Sequence, residues 1–277
     1  MRFFQITGWC CCLLLWLSAC KKEVDMGWEQ QQAAAQINFY NASYALIGQS
    51  TVNPRGNMIL VDSRDTTYTP RIDMQDAKYP YFWNPVNYGY AYPLAMRTQW
   101  ISYMRFTAGT HRLYLLDTSK TILDSSAVQL SNDRAATVFY ADSLGSYRML
   151  MVNDAFTPAD GKIGLRIVNL NPTDGDVFIT INKTIPAALP ASTHYGDHTP
   201  FIPLDITRMD TLKVKVYQPG DTSHFLARTS VEVVPGHAYT LVISGYGSGA
   251  PASYKDRASG RTVGISSNFS IAPIKNF

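Results

Sequence analysis

Apolar residues recur at every second position along most of the chain. "LKVKVY" (212–217) sets Leu212, Val214 and Val216 against Lys213, Lys215 and Tyr217. "VFITIN" (177–182) places Val177, Ile179 and Ile181 on one face, and "AYTLVIS" (238–244) does the same with Tyr239, Leu241 and Ile243. In the first half, "HRLYLL" (111–116), "AVQL" (127–130) and "TVFYA" (137–141) behave alike. Successive strand side chains point to opposite faces, so this alternation predicts β-strands. No window of helix length carries a helical stripe. Short strands separated by Gly, Pro, Asn and Asp turns predict an all-β fold of two tandem antiparallel immunoglobulin-like β-sandwich domains.

The tandem arrangement rests on an internal repeat. "INFYNAS" (37–43) matches "LRIVNLN" (165–171), with Asn41 opposite Asn169. "SSAVQLSNDRAATVFYAD" (125–142) matches "RTSVEVVPGHAYTLVISG" (228–245) without a gap. "RMLMVNDAF" (148–156) is set opposite "RTVGISSNF" (261–269), which share an initial Arg and a final Phe. The turn-rich "TPADGK" (157–162) marks the boundary, giving a first domain over 35–160 and a second over 161–277. The C-terminal stretch is expected to close the second sandwich.

The N-terminus has a different pattern. Arg2 is followed by an apolar run from Trp9 to Leu17, too short to cross a bilayer, which needs roughly 20 apolar residues. Residues 1–19 are expected to be a signal peptide. Leu17-Ser18-Ala19-Cys20 resembles the lipobox of bacterial lipoproteins, in which cleavage precedes a Cys whose thiol carries diacylglycerol. Cys20 is therefore the expected lipidation site and membrane anchor. The remaining cysteines, Cys10, Cys11 and Cys12, lie in the segment expected to be removed, which leaves no thiol for a disulfide or Cys-ligated metal. Residues 20–34 form the lipidated Cys and a polar tether. Lys21-Lys22-Glu23 with Asp25 resembles the acidic signals that send some Bacteroidetes lipoproteins to the cell surface. The expected location is thus the outer membrane of the cell envelope, on either its surface or its periplasmic face.

Composition narrows the classes further. The formal charge is +3, and Lys and Arg are scattered without a basic stripe, so nucleic acid is not an expected partner. His194 and His198 are the one His pair close in sequence, with Asp197 between them. The surrounding "STHYGDHTPF" reads as loop, and metal ligation would need further ligands. "PTDGD" (172–176) lacks the alternating acids of a calcium loop and reads as a turn. "GYGSG" (245–249) has its Ser in the wrong register for a nucleophile elbow. No cofactor, metal or catalytic residue is assigned.

A family resemblance emerges from "GLRIVNLNPTDGDVFITINK" followed by "VEVVPGHAYTLVISGYG". Together they resemble the bacterial repeats of domain-of-unknown-function family 4397. Pro172 and Asp174 to Asp176 match its opening, and Pro235-Gly236 with Tyr239 match its hairpin. The resemblance is best from Gly164 to about Gly247, with the first half as a divergent copy. It implies a secreted or lipid-anchored protein and brings no reaction with it.

The candidate contact surface is "YPYFWNPVNYGYAYPLAMRTQWISY" (79–103), far richer in aromatics than the chain average of 12%. Tyr81, Phe82, Trp83, Tyr88, Tyr90 and Trp100 are the candidate binding residues, because rings give contact area at low entropy cost. The expectation is a non-enzymatic binding or structural module that contacts glycan or an envelope protein. The alternative from another class is a hydrolase whose site is assembled from dispersed residues.

Overall fold

The computed structural model describes residues 34–46, 57–65, 81–83, 99–100, 103–117, 119–157, 159–257 and 260–276. Cys20 lies outside them. The strands of the first half are β1 (Ala34–Asn41), β2 (Asn57–Val61), β3 (Tyr81–Trp83), β4 (Gln99–Trp100), β5 (Met104–Thr107), β6 (Gly109–Leu116), β7 (Ile122–Leu130), β8 (Ala135–Ser143) and β9 (Ser146–Asn153). Those of the second are β10 (Lys162–Leu170), β11 (Phe178–Ile181), β12 (Ile202–Asp205), β13 (Asp210–Tyr217), β14 (Ala227–Val233), β15 (Ala238–Ser244), β16 (Ser253–Lys255), β17 (Thr262–Gly264) and β18 (Ser270–Lys275). The alternating segments read from sequence all fall on strands.

The first sandwich faces a sheet of order β5-β1-β8-β9 against one of order β3-β2-β6-β7. Its core includes Ile37, Phe39, Ile59, Leu113, Leu115, Val138 and Tyr140. The second faces β12-β10-β15-β18-β4 against β11-β13-β14. Ile163, Leu165, Ile167, Val214, Val216, Leu241 and Ile243 are among the residues that fill it. In both, the first strand runs antiparallel to one neighbour and parallel to the other.

The copies agree in register as well as in order. Ile37 pairs with Ala136 and Asn41 with Tyr140, while their counterparts Leu165 and Asn169 pair with Tyr239 and Ile243. These are the partners that the gap-free alignment of 125–142 with 228–245 requires. The Asn carbonyls also do the same work. Asn41 Oδ1 accepts from the Ser43 N–H at 2.8 Å, and Asn169 Oδ1 from the Asn171 N–H at 3.0 Å. Each closes the local turn with which the first strand ends.

The third aligned segment needs correction. Phe139 on β8 pairs with Leu150 on β9, and its counterpart Val242 pairs with Ala272 on β18. The strand equivalent to β9 is therefore β18, and 261–269 belongs to an insertion. The physical reason lies in burial. The closing strand must be apolar on both faces, as "SIAPIK" is with Ile271 turned to the core and Ile274 away from it. "RTVGISSNF" cannot supply that. Its β17 pairs with β16 in a separate hairpin.

Strands β8, β10 and β15 are buried along nearly their whole length. The cause is a third apolar cluster between the sandwiches, where Tyr40, Phe139, Ala141 and Val152 meet Val168, Leu170, Val242 and Ile274. The sheets carrying β1 and β10 thus pack back to back, within one compact unit of Ala33–Phe277. Each fully buried Val, Leu, Ile or Phe contributes roughly 1.5–3 kcal/mol.

Candidate functional site

A polar network sits within this apolar seam. The Arg166 guanidinium is 2.6 Å from Asp154 Oδ1, and both side chains are fully buried. Arg166 also donates to Thr240 Oγ1 and to the Asn153 carbonyl, each at 3.1 Å, and its Cζ lies 4.3 Å from the centre of the Phe201 ring. Asp154 Oδ2 accepts from Thr137 at 2.6 Å and from the Tyr103 hydroxyl at 2.8 Å. The repeat shows here again. Thr137 binds Asp154 as its counterpart Thr240 binds Asn276, at 2.7 Å. Burial, with the Asp154 charge beside it, pushes the Tyr103 phenol well above its ordinary value. The ion pair and its hydrogen-bonded neighbours make the network a fastening between the sandwiches.

A second cluster joins the same two parts at one end of the seam. Asp142, at the end of β8, accepts hydrogen bonds from Ser43 Oγ (2.6 Å), the Ala45 N–H (3.2 Å), Tyr246 (2.5 Å) and Tyr254 (3.0 Å). Tyr246 and Tyr254 belong to the insertion between β15 and β18. That insertion folds over the β8–β9 turn, where Tyr147 donates to Asp256 and the Leu144 N–H donates to the Tyr246 oxygen at 2.9 Å. Burial first, then the Asp142 charge, drives the phenols of Tyr246 and Tyr254 well upward. With four donors on it, the carboxylate is occupied by the protein itself.

The candidate aromatic residues divide between two sheets. Tyr81, Phe82 and Trp83 form β3, the edge strand beside β2, with Trp83 opposite Asn57. Trp100 lies in β4, which runs parallel to the end of β18 and opposite Lys275. A stretch from the first copy thereby adds an edge strand to the second sandwich. Tyr88 and Tyr90 lie outside the described residues.

The repeat makes the origin of this segment clear. In both copies the second strand leads to a strand that pairs antiparallel with the first, β5 or β12. The connection spans 62–103 in the first copy and only 182–201 in the second. The aromatic stretch occupies the extra length. The shorter connection carries His194, which pairs with Asp176, and His198, whose pKa is lowered by burial and by the nearby Arg166 charge. An open groove beside it is lined by Leu189, Pro190, Thr193, His198 and Thr199. Among the described residues no group of three or more His, Cys, Asp or Glu is placed to hold a metal ion.

Arg166, Asp154, Asp142 and the tyrosines of the insertion between β15 and β18, which forms a strap over the β8–β9 turn, were not singled out from the sequence. One signal was available. Arg166 interrupts the largely apolar "IGLRIVNL" of β10, and a cation in a strand covered on both faces requires a buried partner.

Together these features define a tandem β-sandwich protein with its two halves fastened back to back and with loops as the variable parts. Residues 91–180 match the model of the family described as Domain of unknown function (DUF4397). That range runs from the first copy's later strands through β10 and β11, so it includes "GLRIVNLNPTDGDVFIT" and ends before the 228–245 hairpin. No curated protein matches the chain.

Proposed function

We propose that this protein is a lipid-anchored, non-enzymatic module of the cell envelope, held at the outer membrane surface through Cys20. It contacts glycan or an envelope protein through the aromatic-rich 79–103 segment. The observation that carries this reading is the asymmetry between the copies. The same scaffold occurs twice in the same register, and the aromatics sit in the extra length of one inter-strand connection. Loops added to a rigid scaffold are where binding residues concentrate. The two buried clusters support the reading in a second way, because they make the scaffold rigid.

Affinity electrophoresis of the purified protein in gels containing xylan or mannan, with pull-down on peptidoglycan sacculi as a third arm, tests the surface. Binding to one of them should weaken by about 2 kcal/mol or more in Trp83→Ala, with the melting temperature nearly unchanged. Trp83→Ala and Trp100→Ala both melting far below wild type would make the rings part of a core and remove the proposal's support. Mass analysis of the native N-terminal peptide tests the anchor. It should begin at acylated Cys20.

A further inference from the structure

The outward face of the β11-β13-β14 sheet carries a charge arrangement that its fold does not need. Lys215 on β13 stands directly opposite Arg228 on β14, and Lys213 lies one pair along, opposite Ser230. Like charges facing each other across strands are destabilising. Among the described residues none of these three cations has an ion-pair partner. Glu232 is on the same face one pair beyond Lys213, opposite Thr211, and forms no ion pair with that lysine.

The first copy acts as an internal control. The residues equivalent to Lys215 and Arg228 are Tyr114 and Ser125, which form the matching pair on β6 and β7. There Arg112 donates to Ser125 at 2.9 Å and Arg64 lies over the Tyr114 ring, so no two cations face each other across the strands. The facing cations are thus a property of the second copy alone. Beside them stands Phe225, 41% exposed, with Lys215 Nζ 4.9 Å and Arg228 Cζ 5.5 Å from its ring centre. The exposed ring and the cations occupy one patch.

We propose that this face binds an acidic polysaccharide. Each sugar unit of such a polymer offers both things the patch asks for: a C–H face to lie on Phe225, and a carboxylate or sulfate to meet Lys213, Lys215 and Arg228. An extended peptide docks by adding a strand to a sheet edge through its backbone. This patch lies on a sheet face, which presents side chains and not main-chain groups, and that favours a ligand read by side chains. The site shares no residue with the 79–103 segment, and the proposal stands or falls independently of it.

The full chain is titrated with polygalacturonate and heparin, against neutral dextran, polyglutamate and phosphatidylglycerol vesicles. An acidic polysaccharide should bind, and added salt should weaken it by screening. Lys215→Gln combined with Arg228→Gln should reduce affinity at least about tenfold, and Phe225→Ala should reduce it separately. Lys215→Gln alone should leave the melting temperature unchanged or raise it, because it removes the facing like charges. Failure of both acidic polysaccharides to bind, or equal binding by the double variant, overturns the proposal. Equal affinity for polyglutamate or the vesicles overturns it too, since charge alone would then explain the surface. Binding of dextran as tightly as polygalacturonate removes the role of the cations and is equally fatal.

Discussion

Arg166 and Asp154 lie 2.6 Å apart with both side chains completely buried, and they come from different sandwiches. A buried ion pair gains little over apolar packing, but a lone buried charge is costly. Asp154→Ala should therefore destabilise the protein by about 3–5 kcal/mol, because it strands the Arg166 guanidinium and the Thr137 and Tyr103 hydroxyls. The double variant Arg166→Met with Asp154→Leu should lose much less than the sum of the two single losses. Urea unfolding of the four proteins gives the coupling directly. Additive losses would show that the pair does not act as one unit.

The buried tyrosines predict a limit on alkaline stability. Burial and neighbouring carboxylates raise the phenols of Tyr103, Tyr147, Tyr246 and Tyr254 above the ordinary value of about 10. In the folded state these groups keep their protons, whereas the unfolded chain releases them as pH passes about 10. Their contribution is fully present below that pH and is lost as pH rises toward the folded values. The urea midpoint should thus be flat from about pH 7 to 9 and fall steeply above about 10. Tyr246→Phe should make that fall shallower, at the expense of a lower midpoint at neutral pH. A midpoint that stays level to about pH 11 would contradict this.

The sandwich architecture and most of its register were legible because strand alternation and the repeat constrain each other. Asn41 and Asn169 could be placed opposite one another from sequence, and both cap the first strand of their copy with the same turn. The closing strand was misplaced because shared Arg and Phe residues outweighed the burial pattern of Ile271 and Ile274. The seam was illegible for a different reason. Which buried acid answers Arg166 depends on how two sheets face each other, and no local pattern encodes that. The outward cations at 213, 215 and 228 were visible as polar positions, but their opposition appears only once β13 and β14 are in register.

Gly145 packs directly against the strap. Its φ is +86°, and a Cβ there would lie 2.6 Å from the Lys255 carbonyl oxygen and 3.0 Å from the Asp256 Cα. Both are backbone atoms, so a clash cannot be relieved by rotating a side chain. Gly145→Ala should cost about 1–3 kcal/mol in urea unfolding, from the left-handed backbone and the clash together. It should also increase amide exchange at Asp256, whose N–H donates to the Arg261 carbonyl within the strap. A stability within about 0.5 kcal/mol of wild type would mean that the strap is not seated on this turn.

Leu144, the residue before it, offers a change in the opposite direction. Ser143 pairs with Ser146, leaving Leu144 and Gly145 as a two-residue turn with φ of +47° and +86°. Positive φ at both central positions is the signature of a type I′ hairpin, which favours Asn-Gly. A left-handed conformation costs an ordinary L-residue roughly 1–2 kcal/mol, and Asn tolerates it better through local hydrogen bonding. The Leu144 side chain is 37% exposed, so little packing is lost on replacing it. The hydrogen bond from its N–H to Tyr246 belongs to the backbone and survives the change. Leu144→Asn should therefore raise stability by about 0.5–1 kcal/mol, read as a higher urea midpoint with an unchanged slope. A fall in the midpoint would show that the Leu144 side chain packs against the strap strongly enough to outweigh its backbone strain.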